Sequence, residues 1–178
     1  MARRAKRNYI NNSDFTEAII DYKKTCEEAE EAGDDLPRVP NYIGECLMKI
    51  SKGVGARPNF SGYSYRDEMV SDGIENGLRA LRNFDPEKTR NPFGYFTQII
   101  WYAFLRRISS EHKQTYVKHK VAENHIVQGT AVAGGEEQSS HIIDFLGIDR
   151  ESTTSFVENY EDKLNKNKEK KEPPTDEK

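Results

Sequence analysis

The sequence contains few of the features that mark a membrane, metal-binding or disulfide-stabilised protein. Its 178 residues include only two cysteines, Cys26 and Cys46, and four histidines. No pair of these residues has the spacing of metal ligands and no Cys-x-x-Cys motif occurs, so we expect two free thiols and no metal or cofactor. No apolar run approaches the ~20 residues of a membrane span, and no signal peptide opens the chain. We therefore expect a cytoplasmic protein without a membrane partner.

Catalytic motifs are also missing from the sequence. It contains no paired catalytic carboxylates, no nucleophile-and-base motif and no glycine-rich phosphate loop, so it does not predict an enzyme. The adjacent Glu111 and His112 are explained better by a surface position than by catalysis. No segment alternates apolar and polar residues over the length of a strand. We predict an all-α fold.

Charge is strongly segregated along the chain, although the net charge is only −3. Residues 27–35 carry six acids, whereas residues 106–120 carry five Lys or Arg and one acid. Hydrophobic residues make up 35% of the chain, which is enough for a modest helical core with polar appendages. Partners must therefore be inferred from local charge rather than from the total.

Apolar periodicity and turn residues divide the chain into four predicted regions. Residues 1–40 form a basic arm, a helix and a proline-containing linker, and residues 41–126 form a helical domain. Residues 127–164 form a flexible loop and a short amphipathic helix around Phe156. Residues 165–178 contain no apolar side chain, so we predict a disordered tail there.

The helices themselves are predicted from apolar stripes with caps at their ends. The first runs over residues 14–32, capped by Asn12 or Ser13 and ended by Gly33. A second lies around residues 43–50 and a third spans about 65–83. The fourth begins at Pro92, a residue favoured in the first helical turn, and ends near residue 110.

The helix that begins at Pro92 concentrates aromatic side chains and is followed by cations. Phe93, Phe96 and Ile100 fall on one stripe that core packing would explain, whereas Tyr95, Trp101 and Tyr102 lie largely off it. Rings interleaved with cations suit single-stranded nucleic acid, because bases stack on rings and phosphates attract Lys and Arg. Core packing of the rings is the alternative. The candidate nucleic-acid-binding residues are Phe93, Tyr95, Phe96, Trp101, Tyr102, Arg106, Arg107, Lys113, Lys118 and Lys120.

The preceding helix presents acids away from its apolar stripe. We call this set the acidic face: Asp67, Glu68, Ser71, Asp72 and Glu75. A solvated surface is one interpretation, and a docking surface for a basic partner is the other.

The spacing of residues across these two helices follows a known pattern. An acid-Gly pair is followed by Ala seven residues after the Gly, by Phe four residues later, by a turn, and by Phe-x-x-aromatic with Ile four further on. Residues 67–108, DEMVSDGIENGLRALRNFDPEKTRNPFGYFTQIIWYAFLRRI, thus resemble the second conserved region of bacterial sigma factors. The matching residues are Asp72, Gly73, Ala80, Phe84, Phe93, Phe96 and Ile100.

Two further stretches narrow this resemblance. NYINNSDFTEAIIDYKK and PNFSGYSYRDEM resemble the late-transcription sigma factors of T-even-like bacteriophages, which are short and divergent. The resemblance covers about residues 8–120 and, weakly, the helix around Phe156. It implies a compact helical sigma-factor second-region domain with a flexible C-terminal extension, in the cytoplasm of a host bacterial cell.

The resemblance also implies a function and contact residues. A factor of this family directs bacterial core RNA polymerase to phage late promoters by reading and melting an AT-rich box near the start site. Its first helix docks on the coiled coil of the largest polymerase subunit, and its second helix binds promoter DNA. The implied polymerase contacts are Asp67, Glu68, Ser71, Asp72, Ile74 and Glu75.

The sequence departs from the family at two places. Primary sigma factors have a Trp pair where this chain has Ile99 and Ile100, and Trp101 and Tyr102 follow two residues later.

The phage relatives also depend on a sliding clamp and a late co-activator, and carry a clamp-binding peptide at the C-terminus. This chain ends KEPPTDEK, and its nearest candidate is internal, in residues 141–149. The candidate clamp-binding residues are Ile142, Ile143, Phe145 and Leu146; a surface turn or helix packed on the domain is the alternative.

A second function class remains open from the residues alone. A helical adaptor for single-stranded DNA or RNA that does not bind polymerase would need the aromatic and basic helix but not the acidic face. Binding to polymerase separates the two hypotheses.

Overall fold

A computed structural model describes residues 10–131 and 150–169, with side chains described for residues 10–124 and 153–166. Every regular element within those residues is helical, and no strand occurs there, which confirms the all-α prediction. Contacts between residues divide the chain into two compact units. The first unit is Met1–Ile108 and the second unit is Ser109–Lys178.

Six α-helices and one 3₁₀ turn account for the regular structure of the described residues. They are α1 (Asn12–Ala32), α2 (Asn41–Gly55), α3 (Pro58–Ser61), α4 (Arg66–Ala80), the 3₁₀ turn Leu81–Asn83, α5 (Pro92–Ala131) and α6 (Arg150–Glu169).

The core of the first unit is built from large apolar side chains that its helices contribute to one cluster. Phe15 and Ile19 of α1 are completely buried there, which makes α1 part of the folded domain. The helix predicted within residues 1–40 thus packs against helices of the region predicted as residues 41–126. Other members of the cluster are Ile43, Leu47, Ile50, Val54, Phe60, Met69, Leu81, Phe84, Phe96, Ile100 and Phe104.

Gly73 allows α4 to lie very close to its neighbours. A Cβ atom at this position would stand 2.6 Å from the Ser51 hydroxyl and 3.0 Å from side-chain carbons of Ile100 and Phe104. The buried Ser51 hydroxyl donates a hydrogen bond to the Val70 carbonyl at 2.8 Å, so its position is fixed. The glycine of the acid-Gly pair is thus required by packing, because any larger residue would overlap these groups.

The helix ends are capped by nearby polar groups. Asn11, one residue before the predicted caps, accepts a hydrogen bond from the Ser13 amide and begins α1. Gly33 ends α1 with φ of 75°, a left-handed conformation that glycine adopts without strain. At the start of α5, the side chains of Asn91 and Asn12 accept hydrogen bonds from the amides of Gly94 and Phe93. The first turn of α1 therefore helps to fix the start of α5.

The second unit pairs the later part of α5 with α6. Tyr116 stacks on Tyr160 with ring centroids 4.5 Å apart, and His119 stacks on Phe156 at 4.6 Å. His119 Nδ1 lies 3.1 Å from the Thr153 hydroxyl. Later residues of α5 meet earlier residues of α6, so the two helices run antiparallel.

The predicted boundaries in the C-terminal half need correction. The helix that begins at Pro92 does not end near residue 110 but continues to Ala131, so residues 127–131 are helical rather than loop. The last helix extends to Glu169, so residues 165–169 do not belong to a disordered tail. Stacked rings support the parts of these two helices around residues 116–119 and 156–160, where the apolar pattern is weak.

No helix among the described residues is long and apolar enough to cross a membrane.

Candidate nucleic-acid and partner interface

Phe96, predicted to stack on a base, is completely buried. Its ring lies 5.4 Å from the Phe15 ring and 5.9 Å from the Phe84 ring, centroid to centroid. A base has no access to this ring while the domain is folded as described. Phe96 therefore acts in the core, which is the alternative that its position on the apolar stripe left open.

Tyr95 and Phe93 are half-buried against the same core. The Tyr95 ring meets Phe84 and Phe96 edge to face, at centroid distances of 5.3 and 5.0 Å. Burial raises the pKa of the Tyr95 hydroxyl above its ordinary value. These two rings expose only part of their surface to a ligand.

Trp101 is held in place from two directions. Phe60 of α3 meets it edge to face at 4.6 Å, and the guanidinium of Arg57 lies over its ring, with Cζ 5.5 Å from the centroid. The interaction energy of such a cation–π contact is about 0.5–1 kcal/mol at an exposed site. Sequence reasoning missed Arg57, because the residue lies in a turn 44 positions before Trp101 and no local pattern connects the two.

Tyr102 is the most exposed of the candidate rings, at 52%. It follows Trp101 directly, so an exposed ring and a half-buried ring with a cation above it are adjacent on α5. Around these two rings, Arg57 and Arg106 are exposed cations, Arg57 beside Trp101 and Arg106 one turn after Tyr102. We call this set the ring–cation surface.

The candidate cations occupy different surroundings. The Arg106 guanidinium donates a hydrogen bond to the Asn76 side-chain oxygen at 2.6 Å, and Arg107 Nε lies 2.8 Å from Asp72 Oδ2. Both arginines are therefore tied to α4. Lys113 and Lys118 are exposed residues of the second unit.

Lys120 also belongs to the second unit but is engaged by acids. Its ammonium lies 2.9 Å from Glu123 and 3.0 Å from Glu161. These two carboxylates raise the pKa of the Lys120 ammonium. Of the ten candidate nucleic-acid residues, Phe93, Tyr95 and Phe96 belong to the core or pack against it, and Trp101, Tyr102 and Arg106 belong to the ring–cation surface. Arg107 is paired with Asp72, and the three lysines belong to the second unit.

The acidic face on α4 is exposed over most of its length. The Asp67 side chain is 92% exposed, and Glu68, Ser71 and Glu75 are also exposed. Glu75 pairs with Arg79 one turn later at 2.6 Å. Asp72 differs from the others, since it is only 33% exposed and pairs with Arg107.

A groove of about 610 Å³ runs beside the acidic face, between α2 and α4. Exposed or half-buried apolar side chains line it: Met48, Val70 and Ile74. Lys52 and Arg66 add positive charge, and Asp67 and Ser71 connect it to the acidic face. Sequence reasoning had included Ile74 among the polymerase contacts but not Met48 or Lys52, which come from another helix.

The described part of the chain contains no cluster of metal-binding side chains and no disulfide. No group of three or more His, Cys, Asp or Glu residues there could hold a metal ion. Cys26 and Cys46 are both buried and free. The candidate clamp-binding residues, Ile142, Ile143, Phe145 and Leu146, lie outside the described residues.

Neither the protein-family models nor the curated proteins with which the chain was compared give a match.

Proposed function

We propose that this protein is a sigma factor of the phage late-transcription type, which directs bacterial core RNA polymerase to an AT-rich promoter box and opens it. The observation that carries the proposal is the arrangement of two chemically opposite surfaces on helices that pack together. The acidic face of α4 is bordered by an apolar groove, and α5 presents Trp101 and Tyr102 close to arginines.

The acidic face and its groove suit a basic protein partner. Exposed carboxylates attract cations and guide association, while Met48, Val70 and Ile74 offer apolar area to bury. A nucleic acid would be repelled by Asp67, Glu68 and Glu75. The basic coiled coil of the largest polymerase subunit, which the sigma-factor resemblance implies, has the chemistry that this surface requires.

The ring–cation surface suits separated DNA strands. Stacking of a base on an aromatic ring contributes roughly 1–3 kcal/mol, and unstacking one base costs a few kcal/mol. Trp101 and Tyr102 can thus offset the opening of a short AT-rich stretch, with Arg57 and Arg106 near the phosphates. Phe96 is buried in the core and Tyr95 is half-buried against it, so neither ring is the main stacking surface in this proposal.

Polymerase docking is tested by reversing charge on the acidic face. Glu68→Lys should weaken the binding of bacterial core polymerase about tenfold or more, because a like charge would then face a basic partner. Glu17→Lys, an equal reversal at an exposed position of α1, is the matched control and should leave affinity nearly unchanged. Equal affinities of both variants and the unaltered chain would remove this docking surface.

Promoter opening is tested with the exposed ring. Tyr102→Ala should reduce permanganate-reactive thymines in the AT box of a duplex promoter by about five- to 150-fold, the equivalent of one lost stacking contact. The defect should shrink on a template whose box is already unpaired, because the unstacking cost has been removed. Tyr42→Ala, at a ring of α2 that is 40% exposed, is the control. A single-stranded adaptor would instead bind the unpaired box without polymerase and give no polymerase-dependent opening.

A further inference from the structure

The start of α1 is tied to the start of α5 by side-chain hydrogen bonds. Asn12 accepts a hydrogen bond from the Phe93 amide at 3.3 Å and donates one to the Asn91 side-chain oxygen at 3.2 Å. Ile10, two residues earlier, is half-buried and packs against the core of the first unit. The chain therefore enters α1 at a fixed point beside the first turn of α5.

Cations are concentrated in the residues that lead to this point. Residues 1–10 read MARRAKRNYI and contain no acid and four cations: Arg3, Arg4, Lys6 and Arg7. An extended chain spans at most about 3.6 Å per residue. The Cα atom of Arg7 therefore lies within about 11 Å of that of Ile10, and the Cα atom of Arg3 within about 25 Å. Covalent reach alone keeps residues 3–7, which we call the basic segment, near the start of α5.

Arg90 adds a further cation at the same place. It directly precedes Asn91 and is exposed. Among the residues that the structure describes, its guanidinium finds no hydrogen-bond or ion-pair partner. By contrast, the Arg82 guanidinium lies 2.6 Å from Glu30. The five donors of Arg90 are therefore available to an acceptor from outside the chain.

Acids at this end of the first unit are fewer than the cations, and two of them are already engaged. Asp14 accepts a hydrogen bond from Asn11 at 2.8 Å, and Asp85 pairs with Lys88 at 3.1 Å. Residues 1–14 and 85–91 together contain six cations and three acids. The balance at the start of α5 is therefore positive, although the whole chain has a net charge of −3.

We propose that the basic segment and Arg90 form a binding site for the phosphates of double-stranded DNA beside the start of α5. Duplex DNA carries one negative charge per about 1.7 Å of its axis, about twice the density of a single strand. The basic segment contains no aromatic residue, so it suits phosphates rather than bases, which are bound by stacking on rings.

This site adds a duplex contact to the strand-opening surface of the proposed function. Trp101 and Tyr102 follow Phe93 by eight and nine residues, which is about 12–14 Å along α5 at 1.5 Å per residue. That distance corresponds to about four base pairs at 3.4 Å each. The start of α5 thus holds duplex while the rings hold the separated strands. The inference rests on the proposed function only for this placement on a promoter.

Binding of the full chain to a short fluorescent DNA duplex provides the first test. The variant replaces three arginines of the basic segment: Arg3→Gln, Arg4→Gln and Arg7→Gln. It should weaken binding about tenfold or more at about 50 mM salt, and lower the slope of log K against log salt by about 0.9 for each lost phosphate contact. The matched control removes the same charge near the other end of the chain: Lys168→Gln, Lys170→Gln and Lys171→Gln. It should leave both values nearly unchanged, and equal losses for the two variants would overturn the site.

Arg90→Gln tests the part of the site that the structure describes. It should lower the salt slope by about 0.9, the equivalent of one phosphate contact. Arg38→Gln is the matched control, because Arg38 is also exposed and likewise lacks a partner among the described residues. It follows the far end of α1, a helix of 21 residues that is about 30 Å long. Equal effects of Arg90→Gln and Arg38→Gln would remove Arg90 from the site and overturn the proposal.

A single-stranded oligonucleotide of the same sequence separates duplex binding from strand binding. The basic-segment variant should lose less affinity for the single strand than for the duplex, because the single strand has the lower charge density. An equal or larger loss for the single strand would overturn the assignment to duplex. None of these measurements requires polymerase. If core polymerase failed to bind the unaltered chain, the proposed function would fail, and the duplex measurements would still decide whether this site exists.

Discussion

The first unit and the second unit are stabilised by different kinds of contact. In the first unit, aliphatic and Phe side chains are almost completely removed from water, and the ion pairs Glu75–Arg79 and Glu30–Arg82 are exposed. In the second unit, Ala122 and Val157 are buried, and the contacts between α5 and α6 include stacked rings and polar pairs: His119 with Thr153, and Tyr116 and Lys120 with Glu161.

Because of this difference, we expect the two units to respond differently to pH and salt. Burial of apolar area depends little on pH or salt, so the first unit should keep its structure over a wide range of both. Contacts that involve titratable groups change with pH, and exposed ion pairs are screened by salt. The second unit should therefore be the part of the chain that solution conditions regulate.

The largest effect should come from removing a buried ring of the first unit. Phe96→Ala should lower the free energy of unfolding by about 3–5 kcal/mol, because it leaves a cavity among Phe15, Phe84 and Tyr95. Tyr102→Ala on the same helix should change it by less than about 1 kcal/mol, since that side chain is mostly exposed. Urea denaturation measures both. Similar losses for the two variants would mean that Phe96 is not a core residue.

A smaller loss should follow from filling the space at Gly73. Gly73→Ala should cost about 1–3 kcal/mol, because the new methyl group would overlap Ser51, Ile100 and Phe104. Gly44→Ala is the matched control, since no atom lies within 4 Å of a Cβ placed there. That change should stabilise α2 by about 0.5–1 kcal/mol, the difference between Ala and Gly inside a helix. Thermal melts of the two variants should therefore move in opposite directions.

Much of the first unit could be predicted from local sequence. The apolar stripe of α4 predicted nearly its observed bounds, because a 3.6-residue period needs only neighbouring residues, and Pro92 predicted the start of α5. The length of α5 was not predicted, although Tyr116, His119 and Ala122 recur three apart. That pattern is short and polar, and the residues of α6 that complete its packing lie more than 30 positions later.

The candidate site was predictable in its residue types but not in its geometry. The stripe already allowed Phe96 to be a core residue, whereas nothing local showed that Arg107 pairs with Asp72, 35 residues earlier. Contacts of this kind depend on how helices cross, which sequence periodicity does not specify. The same limit explains why Arg57 and Met48 were not among the predicted site residues.

Acidification should affect the second unit before the first. Burial lowers the pKa of the His119 imidazole below its ordinary value of 6.5, so the unfolded chain binds this proton more readily than the folded one. The contribution of neutral His119 to stability is therefore complete above about pH 6.5 and declines as the pH falls towards the folded-state value. Protection of the amides of residues 153–166 from hydrogen exchange, taken relative to the intrinsic rate at each pH, should fall over that interval.

His119→Gln is the variant that tests this assignment. It removes the titrating group, so the loss of protection below pH 6.5 should disappear, whatever the effect of the substitution on protection at neutral pH. An unchanged pH profile in the variant would assign the transition to another group.

The smallest effects should come from replacing one glutamate by glutamine in each unit. Glu30→Gln removes an exposed ion pair with Arg82 and should cost the first unit at most about 1 kcal/mol, because its core is untouched.

Glu161→Gln removes a carboxylate that accepts a hydrogen bond from Tyr116 and pairs with Lys120, two contacts that lower the pKa of Glu161 below 4.5. The stabilisation from ionised Glu161 is present above that value and is lost as the pH falls through the folded-state pKa. Glu161→Gln should therefore speed exchange in residues 153–166 at neutral pH and remove the acid step that protonation of Glu161 causes below pH 4.5. At 1 M salt, where the screening length is about 3 Å, the ion-pair part of both effects should fade while the hydrogen bond from Tyr116 remains. If Glu30→Gln proved as sensitive to pH and salt as Glu161→Gln, the contrast between an apolar first unit and a titratable second unit would not hold.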